Sequence, residues 1–141
     1  MRRICSWATT TEVSDRYPLR VYYEDTDATG VVYHANYLKY FERARTEWLE
    51  ARGLDHMGLA RDHKIVFTLA DLRLAFKRPA RLDDRLVVVT TALEPGRVRM
   101  VFKQEIWRDN SCLIQGEFTV ACVNITTFRP ARLPLVMTEE R

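Results

Sequence analysis

One stretch constrains the fold of this chain more than any other. From Asn36 to Arg52 the apolar residues Tyr37, Tyr40, Phe41, Ala44, Trp48 and Leu49 recur three and four positions apart, which gathers them on one face of an α-helix. Arg43 and Glu47 are spaced to pair on the opposite face, and Gly53 supplies a stop. A helix with one apolar stripe must bury it against something, and on both sides of this segment the pattern changes to the two-residue period of β-strands.

Tyr17 to Tyr23 reads as a first strand, ended by turn-rich sequence from Glu24 to Gly30. After the helix, Asp55 to Gly58 reads as a turn or short coil. Val66, Thr68, Ala70, Leu72, Leu74 and Phe76 then share one parity, with Asp71, Arg73 and Lys77 on the other, as in a strand with one covered face. The run Pro79 to Asp84 closes it. Leu86 to Leu93 is apolar on both parities, and Glu94 to Gly96 is a turn. Val98, Met100, Phe102 and Ile106 alternate with Arg97, Arg99, Lys103 and Glu105, Asp109 to Ser111 turns the chain again, and Cys112 to Val123 repeats the alternation. The tail from Thr126 holds Pro130 and Pro134 and reads as an irregular end with a short helix at Leu135 to Glu140. One long helix among antiparallel strands predicts an α+β fold in which a sheet covers the helix.

A length of 141 residues predicts one domain over 1–141, with its core at about 17–128. The formal charge of +3, from 22 Lys and Arg against 19 Asp and Glu spread along the chain, is too weak to argue for nucleic acid. No run reaches the roughly 18 apolar residues of a membrane span, and the basic opening lacks the apolar core of a signal peptide, so a cytoplasmic location is expected. Cys112 and Cys122 fall in one predicted strand, roughly 33 Å apart, and cannot bridge within it. With Cys5 the count is odd and no CxxC occurs, so all three are read as free thiols, and neither zinc nor a redox role is suggested.

The chemistry concentrates between Tyr22 and Glu47, where a carboxylate-bearing loop feeds the start of the helix. The first turn of a helix offers unpaired N–H groups and the positive end of its dipole, which can hold an oxyanion, while a nearby carboxylate can activate water or attack directly. Asp25, Asp27, Thr29 and Gly30 also match the opening of a calcium loop. That reading fails, because the twelfth position is Asn36 rather than a bidentate Glu and a strand, not a helix, precedes the loop. Without further information, a loop Asp is a turn former and a loop His an exposed polar residue. His56 and His63 keep that reading.

The run Asp25-Thr-Asp-Ala-Thr-Gly-Val-Val-Tyr-His-Ala-Asn-Tyr-Leu-Lys-Tyr-Phe-Glu-Arg-Ala-Arg45, with Lys77-Arg-Pro-Ala-Arg-Leu-Asp-Asp84 further on, resembles the hotdog-fold thioesterases of the 4-hydroxybenzoyl-CoA thioesterase-like family, and most closely their Tol-Pal-associated acyl-CoA thioesterase branch. The resemblance implies a hotdog fold, an antiparallel sheet wrapped around one central helix. It implies hydrolysis of acyl-CoA without metal or cofactor, with Asp27 as general base or nucleophile and Tyr23 and His34 completing the site. It also implies that the backbone amide near His34 polarises the carbonyl. Thr29 stands where relatives commonly carry glycine. In another branch the carboxylate lies on the helix, which makes Glu42 and Glu47 the alternatives. Coenzyme A carries phosphates, for which the Arg97 and Arg99 face is the candidate partner. A homodimer or homotetramer is expected, because one sheet on one helix leaves an edge and a face uncovered. The competing reading is a scaffold that binds acyl carrier protein or envelope-associated partners with little turnover. A dehydratase would need a different arrangement, usually His with a carboxylate across a dimer.

Overall fold

The computed structural model describes residues 15–139. The order is β1 (Asp15–Arg20), α1 (Asn36–Glu50), a helical turn α2 (His56–Gly58) that runs into a wider turn at Leu59–His63, β2 (Ile65–Phe76), β3 (Arg85–Ala92), β4 (Arg99–Arg108), β5 (Ser111–Asn124) and a short α3 (Leu135–Glu139). The strands form one antiparallel sheet in the order β1-β3-β4-β5-β2, and α1 lies across one face of it. This is the hotdog arrangement.

The six residues of the helical stripe are all buried, as their spacing requires. Phe41 packs against Phe118 with ring centroids 4.9 Å apart, and Trp48 meets Phe102 edge-on at 5.0 Å. Burying each of these large side chains is worth at most about 1.5–3 kcal/mol, so the stripe supplies much of what holds the helix down. Gly53, at φ +79°, ends the helical stretch in the left-handed region that glycine adopts without strain.

A polar pin crosses the same interface, and the period-2 reading of β4 missed it. Gln104 is fully buried. Its Nε2 donates to the Phe41 carbonyl of α1 and to Thr90 Oγ1 of β3, both at 3.0 Å, while its Oε1 accepts from Arg45 Nη1 at 2.9 Å. The Arg45 guanidinium lies 4.6 Å from the Phe118 ring centroid, and burial lowers its pKa to about 10.

The structure corrects several sequence expectations. β1 ends at Arg20 rather than Tyr23, because Val21 already exchanges hydrogen bonds with the Asp83–Asp84 turn and Tyr23–Asp25 coils into a 3-10 turn. β2 does not keep one parity. A bulge between Leu69 and Asp71 leaves Ala70 unpaired, so Ile65, Phe67 and Leu69 share the helix side with Leu72 and Leu74. Arg43 and Glu47 form no ion pair. Thr46 Oγ1 instead donates to Glu42 Oε2 at 3.0 Å. Past the irregular segment, Leu133 and Met137 are buried against the Trp48 end of the core. Cys122 is a buried free thiol, and Cys112 is disulfide-bonded rather than free. Cys5 lies outside the described residues.

Gln104→Ala removes both donors and the acceptor of the pin and strands a partly buried guanidinium. It should destabilise the fold by about 2–4 kcal/mol in urea unfolding, with little change in m. A loss below about 1 kcal/mol would mean that water replaces the pin at no cost.

Candidate active site

The chain leaving β1 is folded back on itself before it enters α1. Thr26 bridges Val32, Asp27 N–H donates to the Val31 carbonyl at 2.9 Å, and Gly30 N–H closes the turn onto the Asp27 carbonyl at 3.0 Å. Gly30 sits at φ +87°, where a side chain would strain the backbone. This small hairpin stands on the β2–β3 connection. Val31 bridges Arg81, and Val32 N–H donates to the Ala80 carbonyl at 2.8 Å. Helix α1 grips the same connection, since Tyr37 Oη accepts the Ala80 N–H at 3.0 Å. The two sequence runs that carry the resemblance therefore meet under one loop.

Asp27 is at the exposed tip. Its Oδ1 accepts Thr29 N–H at 2.8 Å and Thr29 Oγ1–H at 2.6 Å. These bonds stabilise the charged form and hold the Asp27 pKa below its ordinary value, with a smaller contribution from His34. Asp27 is a carboxylate throughout the neutral range.

His34 lies just before α1, its ring against Tyr33 at a centroid distance of 4.6 Å. The backbone around it is nearly closed. Tyr33 N–H bonds Asp25, Asn36 N–H bonds Tyr33, Tyr37 N–H bonds His34 and Leu38 N–H bonds Ala35. The N–H groups of His34 and Ala35 have no acceptor among the described residues. No side chain caps the helix, and no acid stands in its first turn. The helix start thus keeps open N–H groups at its positive end, seven residues after a charged carboxylate whose pKa the His34 side chain also lowers slightly.

The other expected residues are placed differently. Tyr23 is 82% exposed on the 3-10 turn, not packed against the helix, and no described contact joins its hydroxyl to Asp27 or His34. Arg97 and Arg99 are exposed near the start of β4, whereas Arg108 at its other end bonds Asp84 at 2.6 Å, beside the Asp27 hairpin. Ten residues of strand put Arg99 about 30 Å from that end, so a single chain does not bring these arginines to Asp27.

Sequence reasoning missed a cavity of about 170 Å³ between α1 and β2. Leu49, Met100, Phe102 and Val120 line its apolar part, and Glu42, Thr46 and His56 its polar part. His56 Nε2 is 3.2 Å from Thr46 Oγ1. As that hydroxyl gives its proton to Glu42, Nε2 is the donor to it. No local signal could have found this cavity, because the Ala70 bulge sets which face of β2 Leu69 presents to it.

The fold, with a charged Asp27 loop close in sequence to the start of its one long helix, is that of a hotdog protein. Comparison with known proteins makes the family explicit. The thioesterase superfamily model matches residues 29–115, and the chain belongs to that superfamily. It is 40% identical over 118 residues to the acyl-CoA thioesterase YbgC of Haemophilus influenzae, covering 84% of this chain and 87% of that one. It is 36% identical over 129 residues to the Helicobacter pylori acyl-CoA thioesterase YbgC, covering 85% and 94%. Among solved structures, a probable thioesterase from Bartonella henselae superposes with a TM-score of 0.83 at 34% identity, covering 86% of this chain and all of that one. No helix among the described residues is long and apolar enough to cross a membrane.

Thr29→Val deletes one of the two bonds that depress the Asp27 pKa, so that pKa should rise and the acidic limb of any Asp27-dependent activity should move to higher pH. Thr29→Ser should leave both in place. Carboxyl-carbon NMR titration reads the shift directly, and an unchanged Asp27 in Thr29→Val would show that the hydroxyl does not hold it.

Proposed function

We propose that this chain hydrolyses acyl-coenzyme A thioesters. The observation that carries the reading is the ionised Asp27 carboxylate in the loop that leads directly into the open N–H groups of His34 and Ala35. The thioester oxygen accepts a hydrogen bond from the His34 N–H and gains charge as the carbonyl carbon is attacked. Asp27 takes the proton of an attacking water, or attacks first and is released by water. The C–S bond then breaks, and coenzyme A leaves as a thiolate that needs little acid assistance. Water and thioester become free acid and thiol with no cofactor. A carboxylate of lowered pKa is a weak base in water, and covering it with substrate raises its basicity by desolvation. The names of the YbgC relatives support the same substrate class.

We further propose a homodimer or homotetramer in which two copies complete the site. β2 is an edge strand of 12 residues with Leu69 and Phe76 exposed at 43% and 54%, an edge suited to pairing. Glu42 and Thr46, at the polar side of the cavity, lie about 9 and 15 Å beyond Asn36 along α1. An acyl group held in that cavity with its carbonyl at a helix start, and Arg97 and Arg99 on the nucleotide phosphates, are compatible when the residues come from different copies. Tyr23 would reach substrate from the same seam. Such an enzyme would act in the cytoplasm, where coenzyme A thioesters are made.

Release of free thiol from a panel of acyl-CoAs tests the activity. Turnover supports it, and tight binding of acyl carrier protein with no release from any thioester would favour the scaffold reading. In the same assay Arg97→Ala combined with Arg99→Ala should raise KM with kcat nearly intact, because phosphate contacts are equally strong in ground and transition state. A fall in kcat with KM unchanged would remove these arginines from substrate binding.

A further inference from the structure

Asn36 is the first residue of α1, yet its side chain does not serve the helix. Its Nδ2 reaches back 2.9 Å to the Asp25 carbonyl, 11 positions earlier. That carbonyl also accepts Tyr33 N–H at 2.9 Å. The Asp25 carboxylate accepts Tyr22 N–H through Oδ2 at 2.9 Å. Asp25 thus holds the exit from β1 with its side chain and the entry to α1 with its backbone. One helical turn after Asn36, the Tyr40 hydroxyl is buried, and burial and the neighbouring Asp25 carboxylate both raise its pKa, so that carboxylate also lies near α1. The junction is thus packed from inside the core as well.

Asp27 lies two residues inside one end of this clasp and His34 two residues inside the other. The hairpin bonds fix Asp27 relative to Val31, and the Val31–Arg81 and Val32–Ala80 contacts seat its far strand on the β2–β3 connection, which leaves its Asp25 end to be held against the start of the helix by other bonds. Two bonds to the Asp25 carbonyl tie this end of the hairpin to the helix entry, beside the Asp25 carboxylate's approach to Tyr40, and Asn36 donates one of the two from its side chain. A tilt of about 1 Å there changes the gap between the Asp27 carboxylate and the His34 N–H, and misplacements of that size cost reaction rate on the order of 10²-fold.

We propose that Asn36 is a positioning residue of the active site, clamping the Asp25 carbonyl to the start of α1 and so setting the spacing between Asp27 and the His34 amide. The proposal rests on the thioesterase reading above. Asn36 touches no reacting atom. It acts through the loop, and its residue type is needed for a donor of the right reach rather than for helix capping.

The test compares Asn36→Asp and Asn36→Ser in the full-length protein with the acyl-CoA that the wild type turns over fastest. Aspartate has the same shape but donates nothing, and its charge suits the first turn of a helix, so the thermal midpoint should hold or rise. Serine is uncharged and too short to reach Asp25. The clamp predicts that kcat falls about 10-fold to 100-fold in both variants while KM stays within about twofold. The acidic limb should move to higher pH only for Asn36→Asp, where a second negative charge stands near Asp27. Retention of more than half of wild-type kcat in both variants would overturn the clamp and leave the enzyme reading intact. So would a loss that appears only in KM, or one that tracks a lowered thermal midpoint in both. A wild type that releases thiol from no acyl-CoA would overturn the enzyme reading itself, and the clamp with it.

Discussion

The apolar stripe of α1, buried in the sheet and pinned by Gln104, fixes everything else in this molecule. The stripe alone would allow the helix to roll or slide, since apolar contact is not directional. Gln104 removes that freedom. It ties the Phe41 carbonyl and the Arg45 guanidinium of one helical turn to the middle of β4 and to Thr90 of β3. With the helix fixed in azimuth and along its axis, its first residues must arrive above the β2–β3 connection, where Tyr37 Oη receives the Ala80 N–H. The position of the Asp27 loop thus depends on a buried side chain of the sheet beneath the helix.

That geometry gives the loop its electrostatics. The helix start is left without a side-chain cap, so its positive end and two open N–H groups face outward instead of being consumed locally. Opposite them Asp27 is kept charged by Thr29, at some cost in basicity. An uncapped helix beside a hydrogen-bonded carboxylate contributes little to stability, and in the proposed mechanism its use is to hold a thioester carbonyl. Arg97 and Arg99 stand at one end of β4 and Asp27 near the other, and the cavity lies partway along α1, a spread that the proposed pairing of two copies would bridge.

The sequence was most legible where a feature is periodic or local. The spacing of Tyr37, Tyr40, Phe41, Ala44, Trp48 and Leu49 located the helix and its buried face, and the apolar run Leu86–Leu93 and the alternation along Cys112–Val123 located two of the central strands. Asp27 and His34 were singled out because the motif runs into the helix start, and the structure puts them on the loop and at the helix entry. Features that depend on one extra residue or on distant partners were not legible. The bulge at Ala70 reverses the parity of β2, so the alternation that looked continuous from Val66 to Phe76 assigned its first half to the wrong face. Gln104 looked like an ordinary polar residue in a strand, since only its three partners, far apart in sequence, mark it as buried. Tyr23 was read as the end of a strand because nothing local signals that Val21 already turns onto Asp83 and Asp84.

The central claim is that the Asp27 carboxylate performs the chemistry at the helix start, and Asp27→Asn tests it most directly. The amide is nearly isosteric and can keep the contacts with Thr29, yet it can neither take a proton from water nor attack a carbonyl. In single-turnover thiol release the variant should be slower by roughly 10²-fold to 10⁴-fold, the usual worth of a positioned acid or base, while binding of a non-hydrolysable thioether analogue of the substrate is unchanged. Turnover near the wild-type rate with binding intact would contradict the account and move the chemistry to another carboxylate.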